Sequence, residues 1–179
     1  MYTGTNPKAL LSIELIVNAF IELFHKHPYE EINIKSLCKK ADISRQTFYN
    51  VFDTKEEVLR KYIGQIFSKI LIKYSDSEIP TAQQSIEYFI QTFYENRDFM
   101  DLIMKNNLEN ILTEEFVYAI TDLSHLYEGD DVPNLDYQLE FYAGGLTQIL
   151  IHWMKDNNRI STKDLIDLLA NQIEMPFFT

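Results

Sequence analysis

"ADISRQTFYNVFDTKEEVL", residues 41–59, places a short polar run, an aromatic pair and a new helix start within nineteen positions. Working outward, Asn33 is positioned to cap a helix that turns Ile34, Leu37 and Cys38 inward and Lys35, Lys39 and Lys40 outward. That helix stops at Ala41-Asp42, and Ser44 caps a third, short helix. Thr54 with Glu57 three residues on is a capping-box pattern, opening a fourth helix that runs to about Tyr74. Upstream, Asn6 before Pro7 reads as a cap followed by proline at the first helical position. Leu10, Ile13, Ile16, Val17, Phe20 and Phe24 follow helical spacing, and this first helix should end near His27-Pro28.

Two short helices joined by "ADIS" suit a helix-turn-helix, whose second helix lies in a DNA major groove with its N-terminal residues toward the base edges. Ile43, Phe48 and Phe52 have the spacing to face the core, which leaves Arg45, Gln46, Tyr49 and Asn50 outside. Those outward types can read DNA: Arg pairs with guanine, Gln and Asn with adenine, and a Tyr hydroxyl with phosphate oxygen. Backbone N–H groups beside Ser44 would also favour a phosphate.

Charge alone argues the other way. The net charge is -11, and residues 1–60 hold eight Lys/Arg against eight Asp/Glu, so the excess acid lies entirely in 61–179. Phosphate neutralisation dominates DNA affinity, so only a locally tuned N-terminal surface is compatible with DNA. The 46% hydrophobic content, 13% aromatics and only five Gly and five Pro point to an all-α globular chain. No run of about eighteen apolar residues and no signal-peptide pattern is present, so a cytoplasmic protein without a membrane span is expected. Cys38 is the single cysteine, which excludes an intramolecular disulfide and any multi-cysteine metal site.

Beyond "SDSEIP", Thr81 opens a periodic segment with Ile86, Phe89, Ile90 and Phe93 inward, broken near Arg97. Residues 98–111, 114–127, 135–157 and 162–174 read as further helices, and the acidic "EGDDVPN" (128–134) as a loop. The expected layout is a helix-turn-helix domain over residues 1–54 and a larger helical body over 55–179, with 55–74 as the connecting helix.

At Asn33, Cys38, Ala41-Asp42-Ile43-Ser44, Thr47-Phe48-Tyr49, Phe52 and Lys55-Glu56-Glu57 the chain resembles the TetR family of bacterial transcription regulators. The resemblance covers residues 10–60. It implies phosphate contacts from Ser44, Thr47, Tyr49 and Lys55, base contacts from Arg45, Gln46 and Asn50, and backbone contacts from Asn33 and Ser36. Two departures stand out: Asp42 replaces the usual turn glycine and Cys38 the usual alanine. Asp tolerates the left-handed conformation, so the turn survives, although its charge would weaken attraction to phosphate. An inward helical position makes Cys38 a small packing residue, since a reactive thiolate needs a polar, accessible setting.

"FYAGGLTQILIHWMKDNNRISTKDLIDLL" (141–169) resembles the C-terminal region of Gram-positive TetR-like regulators of the dihydroxyacetone kinase operon type. Two adjacent glycines inside a helix cost about 2 kcal/mol against alanine, and something must offset that. The resemblance implies a homodimer in which the last two long helices form a four-helix bundle, with Ala143, Gly144, Gly145, Leu165 and Leu169 at the interface. A helix kink at the glycines is the other reading. The resemblance also implies an effector site in the body, for which Phe89, Phe93, Tyr94, Met104, His125 and Tyr142 are candidates, although aromatic residues at helical spacing equally make a core.

The four histidines are scattered, with neither an HExxH nor paired cysteines, so no metal or other cofactor is expected. "DLSHLYEGDD" (122–131) lacks a nucleophile elbow and the ligand alternation of a calcium loop, so no enzyme activity is expected. The sequence therefore predicts a dimeric regulator of a palindromic double-stranded DNA operator, a repressor released by a small-molecule effector. The alternatives are an activator or a regulator controlled by a partner protein, and a helical interaction module that no longer binds DNA.

Overall fold

The computed structural model describes residues 2, 4–75, 82–126 and 134–172, with side chains placed for all of these except 70–75, 82 and 123–126. Among them the chain is all-α. The expected helix start at Thr81, the loop at 128–133 and the last residues of the 162–174 helix lie outside the described residues. Two compact units divide the chain at Ile63 and Gly64, a point inside the helix assigned as connector.

In the first unit, α1 (Pro7–Phe24) is capped by Asn6, whose side chain accepts from the Lys8 N–H. It buries Ile13, Ile16, Val17, Phe20 and Phe24, whereas Leu10, in the first turn, stays half exposed. The helix ends at Phe24, earlier than expected, and the Lys26 and His27 N–H groups both close on the Leu23 carbonyl. A 3-10 turn at Tyr29–Glu31 follows, unanticipated from sequence. Its N-cap is Pro28, whose fixed φ starts such a turn readily. Next come α2 (Ile34–Ala41), α3 (Arg45–Tyr49) and the start of α4 (Lys55–Ser75). α1 packs on α2 and α3. Between them Phe48 and Phe52 are sealed from solvent with Leu37, Val58 and Leu59, each contributing about 1.5–3 kcal/mol through removal from water.

The second unit contains the rest of α4, then α5 (Ala82–Glu95), α6 (Arg97–Lys105), α7 (Glu109–Leu126), α8 (Leu135–Lys155) and α9 (Thr162–Ala170). α7 packs on α8, and α5 on α9. Phe116 anchors the core, stacked on Phe89 at 3.9 Å between ring centroids and tilted against Phe67 at 5.3 Å, with Phe93 4.8 Å from Phe89. The expected 98–111 helix is interrupted: α6 stops at Lys105, Asn107 takes a left-handed φ of 55°, and α7 restarts at Glu109. Asn accepts that conformation more readily than most residues, and the turn lets Leu108 point into the core. At the other end of the unit the Trp153 indole donates to the Ile160 carbonyl at 2.8 Å, tying the end of α8 to the approach to α9.

Candidate nucleic-acid interface

Three caps and one left-handed residue build the surface around α3. Asn33 and Ser36 form a reciprocal capping box at the head of α2: the Ser36 N–H donates to Asn33 Oδ1 at 3.0 Å and the Asn33 N–H to Ser36 Oγ at 3.1 Å. Ser36 Oγ in turn donates to the Asn33 carbonyl at 2.7 Å, so its one hydroxyl proton is engaged within the cap. At the other end, Asp42 adopts φ 54°, ψ 48°, the conformation in which glycine usually serves, and the chain reverses there. The N–H groups of Asp42 and Ile43 both return to the Cys38 carbonyl. Cys38 itself is buried, and burial pushes its thiol above the ordinary range, consistent with a packing role.

Ser44 then caps α3, its Oγ accepting from the Thr47 N–H at 3.0 Å and lying 2.8 Å from Thr47 Oγ1. A hydroxyl pair sharing one hydrogen bond keeps one proton to donate outward. Helical bonds run past α3, from the Asn50 N–H to the Gln46 carbonyl and from the Phe52 N–H to the Phe48 carbonyl. The winding fixes the outward face: Phe48 points inward at 0% exposure, and Arg45, Gln46, Tyr49 (54% exposed) and Asn50 point to solvent. Tyr49 is braced edge-on by Phe48, ring centroids 5.6 Å apart. On α2, Lys35 and Lys39 are also exposed, while Lys40 is paired with Glu22, whose carboxyl its ammonium holds below the ordinary range.

Lys55, the first residue of α4, is placed differently. Its ammonium donates to the Tyr29 carbonyl at 2.7 Å and the Ile32 carbonyl at 2.8 Å, and lies 4.1 Å from the centroid of the Tyr29 ring. Desolvation holds its pKa below the ordinary lysine value. The helix start around it is capped by Thr54, which accepts from the Glu57 N–H, while Glu57 reaches back to the Asp53 N–H rather than to Thr54.

In the second unit the proposed effector residues do not converge. Phe89 and Phe93 are locked in the aromatic core. Tyr94, one residue on and so turned about 100° around the helix, is exposed beneath the Arg97 guanidinium. Met104 is half-buried, and the side chain of His125 lies outside the described residues. Tyr142 lines a hollow of about 340 Å³ with Asn134, Tyr137, Gln138 and Phe141. Another, of about 290 Å³, lies between α4 and α5 and is lined by Ile66, Lys69, Tyr88, Gln91, Thr92, Glu95 and Asn96.

The interface set is also divided. Ala143, Leu165 and Leu169 are buried within the single chain, because α8 and α9 turn those positions toward α7 and α5. Gly145 is exposed, and a Cβ at either Gly144 or Gly145 would meet nothing within 4 Å. The outward face of α8 instead carries Tyr137 (75% exposed), Phe141 (76%), Gly145 and Ile149 at four-residue spacing. Inward and outward helix positions share one apolar vocabulary here, which is why sequence did not separate them. No helix among the described residues is long and apolar enough to cross a membrane.

Comparison with known proteins agrees with this geometry. A family model described as bacterial regulatory proteins, tetR family, matches residues 16–62, and one described as a transcriptional regulator C-terminal region matches 80–175. The chain is 32% identical over 69 residues, 38% of its length, to the HTH-type dhaKLM operon transcriptional activator DhaS of Lactococcus lactis. It is 23% identical over 90% of its length to the uncharacterized HTH-type transcriptional regulator YuxN of Bacillus subtilis. It spans 37% and 61% of the length of these two curated relatives. The solved structure of Lin0861 from Listeria innocua has the same fold, with a TM-score of 0.77 at 17% identity over 96% of this chain and 94% of that one. An α2–turn–α3 head matched by one model and a helical body matched over more than half of the chain by the other lead to one conclusion: the chain belongs to the TetR family of transcription regulators.

Proposed function

We propose that the chain binds a palindromic operator as a homodimer, with Arg45, Gln46 and Asn50 toward the bases and Ser44, Thr47 and Tyr49 on phosphate. The observation that carries this reading is the outward row on α3 and its C-cap: Arg45, Gln46, Tyr49 and the capping Asn50 are exposed while Phe48 anchors the same helix in the core. Side chains held on a pinned helix present a fixed pattern to a groove, which is what sequence discrimination requires. Asn33 keeps amide donor capacity for a phosphate, since its one side-chain donor contact, to the Glu31 carbonyl, is a long 3.5 Å. For the dimer, the exposed Tyr137, Phe141, Gly145 and Ile149 face on α8 supports a second copy as its cover, and twofold symmetry would match a palindrome.

The regulatory reading is repression relieved by a small molecule. A ligand does this only by binding the two states of the body unequally, and the hollow beside α4 is the more polar candidate, offering Lys69, Gln91 and Glu95. Similarity to a protein named as an activator favours activation as the second reading of the sign.

Selection from a random duplex library tests the DNA reading. The expected product is an inverted repeat whose half-sites lie about 10 bp apart or a multiple of it. A library that emerges unenriched contradicts it. Gly145→Ala tests the interface: a methyl meets open space in one chain and gains about 1 kcal/mol of helix propensity, so a weaker dimer by sedimentation equilibrium marks a copy packed on that face. An unchanged dimer places the interface elsewhere.

A further inference from the structure

We infer that Lys55 is a positioning residue of the DNA-reading head, a clamp that joins the start of α4 to the backbone ahead of α2, and not one of its phosphate contacts. This rests on the DNA-binding reading above and reassigns one of its residues. A lysine ammonium has three N–H donors and no acceptor. Two of the three point at the Tyr29 and Ile32 carbonyls at 2.7 and 2.8 Å, and the Tyr29 ring lies 4.1 Å from the ammonium. Two of the three directions in which the group could donate to a phosphate are therefore occupied from inside the fold. Releasing it would take this donor from both the Ile32 carbonyl and the Tyr29 carbonyl, the latter also accepting from the Ile32 N–H at 3.2 Å. A buried carbonyl without its partner is unfavourable.

The position of the clamp explains its use. Ile32 is sealed in the core at 2% exposure and directly precedes Asn33, the cap of α2. Tyr29 packs edge-on against Phe20 and Phe24 of α1, at 6.2 and 6.1 Å. Lys55 thus holds α4, 23 and 26 residues away in sequence, against the segment that sets where α2 begins. Since α2 and the Asp42 turn set where α3 begins, the clamp acts on base contacts through the backbone.

Lys55→Met tests this in the full chain, with its affinity measured for the library-selected duplex and for a random duplex across a salt series. The clamp predicts weaker binding to the selected duplex by about tenfold, unchanged binding to the random one, and the wild-type slope of log affinity against log salt. A phosphate contact predicts that the slope drops by about 0.9 per subunit and that both duplexes weaken together, which would overturn the proposal. Unchanged affinity with only a lower melting temperature would overturn it too, since the role would then be structural alone. A measurement on the unmodified protein covers a variant that does not fold. Amine-reactive labelling read by mass spectrometry should find Lys55 about tenfold slower than Lys35 and Lys39 without DNA, because labelling must wait for local opening. Labelling of Lys55 as fast as those two would refute the clamp, whether or not any operator is found.

Discussion

Arg45, Gln46 and Tyr49 on a helix of five residues, with Asn50 at its end, stand in solvent, whereas Phe67, Phe89, Phe93 and Phe116 close on one another inside the second unit. The first arrangement spends its stability on holding a polar face still: caps at Asn33 and Ser44, a left-handed turn at Asp42, and Lys55 drawn onto two carbonyls. The second spends it on interior packing and leaves the polar surface strongly acidic. Under the proposed function, affinity for DNA is local to the first unit. All the chain's negative excess lies in 61–179, which discourages non-specific adhesion to nucleic acid and leaves binding to the head.

Substitutions on the two sides should separate cleanly. The largest effect is expected from Phe89→Ala, which removes a ring stacked at 3.9 Å on Phe116 and should lower stability in denaturant unfolding by about 3–5 kcal/mol. A loss below about 1 kcal/mol would mean that the cluster repacks and the contrast between a rigid interior and a working surface is overdrawn. On the head, Arg45→Ala and Gln46→Ala should each cost about 1–3 kcal/mol of discrimination between operator and random duplex, with the melting temperature unmoved. Uniform weakening on every duplex would reduce both to phosphate contacts.

Smaller still is Ser44→Ala, expected to destabilise the head by about 1 kcal/mol through loss of the cap on the Thr47 N–H. Equal losses of stability and operator affinity would show that the cap only folds α3, while an extra loss of affinity would show that the hydroxyl pair also touches DNA. The smallest effect concerns pH. Burial, reinforced by Glu56, pushes the Tyr29 phenol from 10.0 to about 12. The unfolded chain thus gives up this proton first, so the associated stability is intact below about pH 10 and is lost as pH rises from there toward 12. Tyr29→Phe should flatten that decline in alkaline melting curves, and an equally steep decline in the variant would assign it to another group.

Where local chemistry decides the structure, the sequence was readable. Asn6, Asn33, Ser44 and Thr54 marked four helix starts, since a cap bonds to N–H groups two or three residues away. Phe48 and Phe52 against Arg45, Gln46, Tyr49 and Asn50 followed from the helical period alone. What local chemistry does not reveal is tertiary. Nothing near residues 29–32 announces a lysine more than twenty positions later as their partner. Leu165 and Leu169 could face a second copy or α5 by their sequence, and their burial within one chain follows from the packing of α9 on α5. The break at Asn106-Asn107 did carry a local sign, two consecutive asparagines before Leu108, in a segment whose apolar period otherwise runs on.

Under the proposed function, the face displayed by α3 reads sequence in an otherwise acidic protein. Fluorescence anisotropy of the full chain on labelled DNA from upstream of its own gene, at two salt concentrations and beside a scrambled duplex, tests it directly when repeated with Arg45→Ala. The expected result is saturable, salt-weakened binding that favours the upstream duplex and loses most of that preference in the variant. Equal affinity for both duplexes, or a preference that survives Arg45→Ala unchanged, would contradict it.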